Sequence, residues 1–252
     1  MLDISTLALA AVSGLAGGAM NGLAGGGSFA TFPVLIALGL PANIANATSN
    51  AAVMPGAGAS AWSFRKELAP VAGLSVASLA TITFFAGLVG STLLVLTPSD
   101  LFDAFVPWLL LFAFVVMLLG RRAADWLHAR VAIGRPTLVV AQSLLGVYGG
   151  YFGGGVGMIL TAVYGLLANM EPRRLFAIRT LMLFVANLAA SMIFAAFGMI
   201  AWPLCLAMAT GAVFGGWLGA WIGKRLSAGA VRTWTLLVTG ATTMVFFVRA
   251  YA

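Results

Sequence analysis

Two glycine-rich stretches decide how this chain folds: GLAGGGSFATFPVLIAL at residues 22–38 and GYFGGGVGMILTAVYGLL at residues 150–167. In each stretch three consecutive glycines interrupt an apolar segment and are followed by about ten further apolar residues. Ten helical residues are roughly half the length that a helix needs to cross a bilayer. Each stretch therefore predicts a helical hairpin that is broken at its glycines and whose second arm does not span the membrane alone.

The composition of the whole chain predicts a polytopic membrane protein. Of its 252 residues, 62% are hydrophobic and 8% are charged, whereas a soluble domain carries roughly 25% charged residues. Ten apolar runs are separated by proline, glycine or charge, at residues 4–21, 29–38, 44–64, 71–96, 104–119, 138–152, 158–167, 176–197, 203–222 and 233–248. We expect an all-α chain in which each run forms a helix.

The second five runs repeat the order of the first five. The glycine triplet that starts at Gly25 recurs at Gly153, and Phe64 and Pro70 recur as Phe197 and Pro203 at nearly the same interval along the chain. A duplication explains this spacing. We therefore expect one transmembrane transporter domain at residues 1–252, with repeat 1 at about 1–120, a cytoplasmic loop at 121–135 and repeat 2 at about 136–252.

The basic residues orient the segments, because Lys and Arg are retained in cytoplasmic loops. They form four groups: Arg65 and Lys66; Arg121, Arg122, Arg130 and Arg135; Arg173, Arg174 and Arg179; Lys224, Arg225 and Arg232. The connections at 40–43, 97–103 and 198–202 contain no Lys or Arg. Placing the basic groups inside puts both termini outside. Each half then contains one hairpin and three transmembrane helices, and this odd number of crossings makes the halves inverted-topology repeats.

The glycine triplets are the first candidate substrate site: Gly25, Gly26 and Gly27 in one copy and Gly153, Gly154 and Gly155 in the other. Unwound backbone inside a membrane is tolerated only where it is buried in protein or lines a polar cavity. We expect free N–H groups at Ser28 to Thr31 and at 156–159, where two helix N-termini would hold an anion. The alternative is that these glycines only allow close helix packing, which is our interpretation of Gly215, Gly219 and Gly223.

A second polar group follows each hairpin and opens a long apolar run. It comprises Asn46, Thr48, Ser49 and Asn50 in the first copy, and Arg179 and Thr180 in the second. The amides and hydroxyls are suited either to binding an oxyanion or to stabilising the unwound backbone. Arg179 is suited to a sulfonate, sulfate or carboxylate, since its donors match such oxygens. The alternative for Arg179 is that its side chain snorkels to the cytoplasmic surface.

Other function classes fit the sequence poorly. The only histidine, His128, lies in the polar loop, and the only cysteine is Cys205, so no nucleophile and base or metal cluster can be assembled from the apolar segments. We expect neither catalysis nor a cofactor. The net charge of +7 is divided among short inter-helical groups, which favours membrane topology over nucleic acid as its cause. Because no Asp or Glu lies inside an apolar run, carboxylate-relayed proton coupling is disfavoured.

The order of these motifs resembles the sulfite exporter TauE/SafE family of membrane permeases. The resemblance lies in the glycine break, Pro33, and Asn46 to Ser49, and in the second copy in Gly150 to Gly157 and Arg173 to Thr180. It covers essentially the whole chain, although Thr161 stands where Pro33 stands in the first copy. The resemblance implies export of sulfite, sulfoacetate or another sulfonate or organic anion across the bacterial plasma membrane.

These observations lead to a carrier that binds a small anion between its two hairpins and has the lipid bilayer as its other partner. Alternating access by rocking of the repeats is the expected mechanism. Two alternatives remain open, namely an anion channel or facilitator and a membrane scaffold or receptor that moves no solute. Small-residue faces permit a homodimer without requiring one.

Overall fold

The computed structural model describes residues 3–128, 134–168, 172–223 and 225–251, which form ten α-helices and one 3₁₀ turn. The helices are α1 (Ile4–Leu23), α2 (Ser28–Ala37), α3 (Ala42–Ser63), α4 (Val76–Leu96), α5 (Ser99–His128), α6 (Arg135–Tyr151), α7 (Val156–Ala168), α8 (Pro172–Ala196), α9 (Trp202–Gly223) and α10 (Ala228–Tyr251). Each predicted apolar run corresponds to one helix, so the all-α prediction is confirmed for this part of the chain.

The helix α4 begins at Val76, five residues after the start of its predicted run at residue 71. Val71 and Leu74 exchange backbone hydrogen bonds of 3.0 and 2.9 Å around a tight turn, in which Gly73 has a φ of +80°. Ser75 then caps α4, since its hydroxyl accepts the Ser78 N–H at 3.0 Å. A side-chain cap of this kind satisfies an N–H group that has no partner inside the helix.

Six of the described helices, α1, α4, α5, α8, α9 and α10, are long and apolar enough to cross a membrane. The second arms of the hairpins are shorter apolar helices, as predicted. Large apolar side chains such as Phe85, Phe214 and Leu237 are more than half exposed on the outer surface, which is the pattern of a surface that contacts lipid. The protein is therefore a multi-pass membrane protein. α5 continues as a helix to His128, into the predicted loop 121–135, whose residues 129–133 lie outside the described chain.

The most extensive helix pairing is between α1 and α9. A Cβ atom added at Gly14 would overlap the carbonyl of Met208, and one added at Gly18 would overlap that of Ala212. Both residue numbers rise along the contact, so the two helices run parallel. A Cβ added at Gly215 or Gly219 of α9 would likewise overlap a backbone carbonyl of α1. This close contact agrees with the helix-packing role expected for these glycines.

The same arrangement occurs between α4 and α6. A Cβ at Gly146 would lie 2.5 Å from the Ala86 Cβ, and one at Gly90 would lie 2.8 Å from the Tyr151 nitrogen. These helices are parallel as well. The first helix of each half thus packs on the fourth helix of the other half, and the two halves interlock.

The third helices extend this interlocking, because α3 packs on α9 and α8 packs on α4. We define bundle A as α1, α2, α3 and α9, and bundle B as α4, α6, α7 and α8. The two bundles meet where α3 packs on α8, while α5 and α10 pack on one another. Each bundle contains helices from both halves of the sequence and carries one glycine break.

In two pairs of helices at equivalent positions of the halves, the partners run in opposite directions. In the α3–α8 pair, the rings of Phe64 and Phe176 lie 6.3 Å apart, while a Cβ at Gly58 would lie 3.1 Å from the ring of Phe184. In the α5–α10 pair, Asp103 and Arg249 form an ion pair of 3.5 Å, while Arg232 donates to the Leu118 carbonyl at 3.1 Å. Antiparallel equivalents are what inverted repeats require, and we retain the inverted relation to the membrane as a proposal.

The membrane orientation gives a first testable prediction. In a Cys205→Ser background, we expect Ser99→Cys to react with an impermeant maleimide in intact cells, because it lies in a connection without basic residues. Lys66→Cys, in a basic group, should react only after the membrane is permeabilised. Labelling of both positions from the same side would contradict the proposed orientation of bundles A and B.

Candidate functional site

Each glycine triplet ends one helix and precedes the next, as predicted. Residues 24–27 separate α1 from α2, and residues 152–155 separate α6 from α7. Gly25, Gly153 and Gly155 have φ values of +79°, +74° and +74°. Residues that have a Cβ atom rarely adopt a positive φ, so the breaks require glycine at these three positions.

The two breaks are in direct contact. The Gly157 N–H donates to the Gly25 carbonyl at 3.2 Å. A Cβ added to either glycine would lie 2.6 Å from the Cα of the other. The expected meeting of the two hairpins is therefore present, and it is a backbone contact that leaves no room for a side chain. Gly157 was predicted only as one of the N–H donors at 156–159 and not as a contact of the other hairpin.

The prediction of free N–H groups at the starts of α2 and α7 is wrong for most of them. In α2, the N–H of Phe29 donates to the Gly26 carbonyl, and those of Ala30 and Thr31 donate to the Gly27 carbonyl. In α7, the N–H of Val156 donates to Gly153, that of Gly157 to Gly25, and those of Met158 and Ile159 to Gly155. Most of these bonds are local, because a first turn tightened towards 3₁₀ geometry satisfies its own donors. An anion at this place must therefore rely mainly on side-chain donors.

The first break is held by two buried polar pairs. The Asn21 side-chain oxygen accepts the Gly27 N–H at 2.6 Å, and the hydroxyls of Thr31 and Ser49 lie 2.6 Å apart. The Asn21 amide nitrogen is buried and has no hydrogen-bond partner among the described residues. Asn21 was missed as a site residue; its signal in the sequence is an amide inside an apolar run, shortly before the triplet.

The second break is held by Tyr148, whose hydroxyl donates to the Gly154 carbonyl at 2.8 Å. Phe29 of α2 reaches across from the other hairpin, and a Cβ at Gly155 would lie 3.1 Å from its ring. On the α3 side, a Cβ at Gly153 would lie 2.7 Å from the side-chain nitrogen of Asn50. The break is therefore enclosed by three different helices.

The polar residues of α3 each contact a different element. Asn46 donates to the Tyr151 carbonyl at 3.1 Å, and Thr48 accepts the Ala201 N–H at 3.0 Å, while Ser49 contacts α2. Their role in stabilising irregular backbone, one of the two alternatives left open above, is thus visible. Asn50 differs, because both polar atoms of its side chain are buried and have no partner.

Arg179 is 2% exposed, which excludes the alternative that it snorkels to the surface. Its guanidinium donates to the carbonyls of Gly22 at 3.2 Å and Leu23 at 3.5 Å and lies 4.4 Å from the centre of the Phe176 ring. A helix C-terminus leaves such carbonyls without intrahelical donors and favours a cation. No described carboxylate forms an ion pair with Arg179, and its Nε has no partner.

Two further predicted residues are buried in the same region. The Thr180 hydroxyl donates to the Phe176 carbonyl at 2.9 Å, inside its own helix. Ser28 is buried at the first position of α2. Both oxygens can accept hydrogen bonds, and no described contact assigns either of them to a ligand.

Asn46 and Arg179 occupy equivalent positions in the two halves, because the interval between them equals that between Phe64 and Phe197. Their acceptors are equivalent too, since Leu23 lies as far before Tyr151 as the first glycine triplet lies before the second. Asn46 of bundle A holds the last carbonyl of α6 in bundle B, and Arg179 of bundle B holds the end of α1 in bundle A. These three hydrogen bonds therefore cross the interface between the bundles, each beside a break.

Comparisons with known proteins identify relatives over most of the chain. A family model described as "Sulfite exporter TauE/SafE" matches residues 9–246. A "Probable membrane transporter protein" of Haemophilus influenzae is 26% identical over 220 residues, which cover 87% of this chain and 86% of that protein. A "Probable membrane transporter protein ORF9" of a Sinorhizobium species is 28% identical over 207 residues, 79% of this chain and 74% of that protein. No solved structure matches the chain.

The family description and the relatives' names indicate a membrane transporter rather than an enzyme. The family model spans almost the whole chain, including both glycine breaks and the buried polar residues of α3 and α8. The chain belongs to the sulfite exporter TauE/SafE family of membrane transporters.

Proposed function

We propose that the protein exports a small sulfur-containing or organic anion, such as sulfite, sulfoacetate or another sulfonate, by alternating access around the two glycine breaks. Residues 1–252 act as one domain, which the interlocked halves support. The bacterial plasma membrane is its location, and both termini face outwards. Export is the direction that the family's description implies.

The observation that carries this proposal is the buried Arg179. An arginine in the interior of a membrane protein is costly unless its charge is compensated, and this one has no described carboxylate partner. Two buried donors at the first break, the Arg179 Nε and the Asn21 amide nitrogen, have no acceptor in the part of the chain that the structure describes. A negatively charged ligand would satisfy both donors and neutralise the guanidinium.

The donor set favours an oxyanion over a halide. A guanidinium presents its N–H groups in a planar fork that matches two oxygens of a sulfonate, sulfite or carboxylate. The Gly22 and Leu23 carbonyls that now accept from Arg179 compete with the substrate for the same donors. Substrate binding should therefore weaken the hydrogen bonds between Arg179 of α8 and the end of α1.

The interlocked packing changes the expected mechanism. Rocking of one sequence repeat against the other would separate α1 from α9 and α4 from α6, whose backbones are in van der Waals contact through glycine. Movement of bundle A against bundle B leaves both of these interfaces intact. Such a movement has to break the Gly25–Gly157 contact, the α3–α8 packing and the three hydrogen bonds made by Asn46 and Arg179. It also breaks the contacts of Phe29 and Asn50 with the second break.

Reconstitution into liposomes tests the proposal and its alternatives. We expect labelled sulfite to enter vesicles loaded with unlabelled sulfite faster than empty vesicles, because a carrier returns more rapidly when it is loaded. An open channel would show flux without this trans-stimulation. A scaffold or receptor would show no protein-dependent flux of sulfite, sulfoacetate or other small anions, and that result would overturn the proposed function.

A further inference from the structure

The end of α6 at the second break is electrically unlike the equivalent end of α1. A helix C-terminus carries about half a negative charge and leaves carbonyl groups without donors. At α1 the guanidinium of Arg179 supplies a fixed positive charge to the carbonyls of Gly22 and Leu23. At α6 the equivalent residue is Asn46, which is neutral and donates one hydrogen bond to Tyr151.

Near the α6 end, several oxygen atoms have no hydrogen-bond donor among the described residues. No described residue donates to the Gly150 carbonyl, whereas the equivalent Gly22 carbonyl accepts from Arg179. The side-chain oxygen of Asn46 is buried without a partner, and so is the side-chain oxygen of Asn50. A buried acceptor that has lost its water and gained no donor destabilises the folded protein. A cation that is coordinated by these oxygens would remove that cost.

The two amides are placed to act together. Asn46 and Asn50 are one helical turn apart on α3, so they lie on one face of the helix, and each is 1% exposed. The side-chain nitrogen of Asn50 lies directly against Gly153 of the break, and like the oxygen it has no partner among the described residues. Rotation of the terminal amide exchanges its oxygen and nitrogen, so the Asn50 oxygen can face the same space as the Asn46 oxygen.

We infer that the second break binds a small monovalent cation, with Na⁺ as the probe, through the side-chain oxygens of Asn46 and Asn50 and backbone carbonyls at the end of α6. Neutral oxygen ligands without a described carboxylate suit a monovalent ion, because divalent ions are held by carboxylates. The first break, which carries Arg179 and unpartnered donors, takes the anion. The second break, where the side-chain oxygens of Asn46 and Asn50 have no donor among the described residues, takes the cation.

Coupling of this cation to transport rests on the proposed function, whereas its binding does not. With both sites filled, the central charge is that of Arg179 plus one cation and the anionic substrate. A cation site built from amides and carbonyls also supplies a coupling ion in a chain whose apolar segments contain no Asp or Glu.

The test measures the unfolding temperature of the full-length protein in detergent, in NaCl and in choline chloride at equal ionic strength. A ligand that binds only the folded state raises this temperature with its concentration. We expect a sodium-specific rise of about 2 °C or more at saturating concentrations. Equal unfolding temperatures in sodium and choline at every concentration would overturn the inference.

Variants locate the site. Asn50→Leu, which keeps the shape of the side chain and removes its oxygen, should abolish the sodium response. Ser60→Ala is the control, because it removes a different buried polar group of α3 that also lacks a described partner. Ser60 lies about 15 Å from Asn50 along the helix, so this variant should keep the full sodium response. Asn50→Asp adds a carboxylate and should move the response to lower sodium concentrations. An unchanged sodium dependence in both Asn50 variants would place the ion elsewhere and overturn the assignment.

The outcomes separate this inference from the proposed function. A shift with sulfite or sulfoacetate in choline, without any shift from sodium, would leave the anion carrier standing and remove the cation site. A sodium response without any response to these anions would keep the cation site and contradict the proposed substrate class.

Discussion

Gly157→Ala is expected to lower anion flux by roughly 5- to 150-fold in proteoliposomes. The added methyl group would lie 2.6 Å from the Gly25 Cα and 2.7 Å from its carbonyl oxygen, so the two breaks could no longer meet. Forcing an extra carbon into packed backbone costs about 1–3 kcal/mol, and a penalty of this size on one state of the carrier changes its population by the stated factor. Initial rates per reconstituted protein measure the effect.

Gly165→Ala is the matched control for this substitution. It lies on the same helix, α7, and a Cβ at this position has nothing within 4 Å. Its flux should equal that of the unsubstituted protein, and helix propensity favours alanine over glycine by up to about 1 kcal/mol. Gly157→Ala with full flux and normal folding would show that contact between the breaks is not a state of the transport cycle.

Arg179→Met is expected to weaken anion binding by about 30-fold or more. Removing one partner of a buried, hydrogen-bonded charge pair costs about 2–5 kcal/mol, and about 1.4 kcal/mol corresponds to a tenfold change in Kd. Methionine keeps an unbranched apolar side chain against Phe176 but removes the charge and all five donors. Calorimetric titration with sulfite and sulfoacetate measures the change in Kd.

Two comparisons separate charge from geometry in this experiment. Arg179→Lys keeps the positive charge and loses the planar fork, so its affinity should lie between those of the unsubstituted protein and Arg179→Met. Arg249→Met removes an arginine that is 42% exposed and pairs with Asp103, and its affinity should not change. Full anion affinity in a folded Arg179→Met protein would remove the central argument of the proposed function.

Sequence patterns predicted the helices and the breaks well for physical reasons that are local. An apolar run of membrane length between charged connections favours a helix wherever the rest of the chain lies. Three consecutive glycines weaken a helix and permit positive φ, and two of the three glycines in the second triplet adopt it. The start of α4 was misplaced because the turn at Val71 to Leu74 is as apolar as the helix that follows it.

The candidate site was predicted less completely. The burial of Arg179 could not be read from its place near a segment end, since a long side chain there either snorkels or turns inwards. The N–H groups at the helix starts were expected to be free, but a tightened first turn occupies most of them. Asn21, Asn50 and Gly157 gained their roles only through neighbours that the sequence pattern does not identify.

The sequence by itself determined ten apolar segments, two glycine breaks and a duplicated order of motifs. Hydropathy, charge and glycine content are properties of each segment alone, so they can be read without a partner. Only the tertiary structure decided that the halves interlock, that the breaks touch, and that Arg179 and Asn46 each hold the helix end of the opposite half. Small residues occur on several helices that could all pack closely, and which faces meet depends on the whole chain at once.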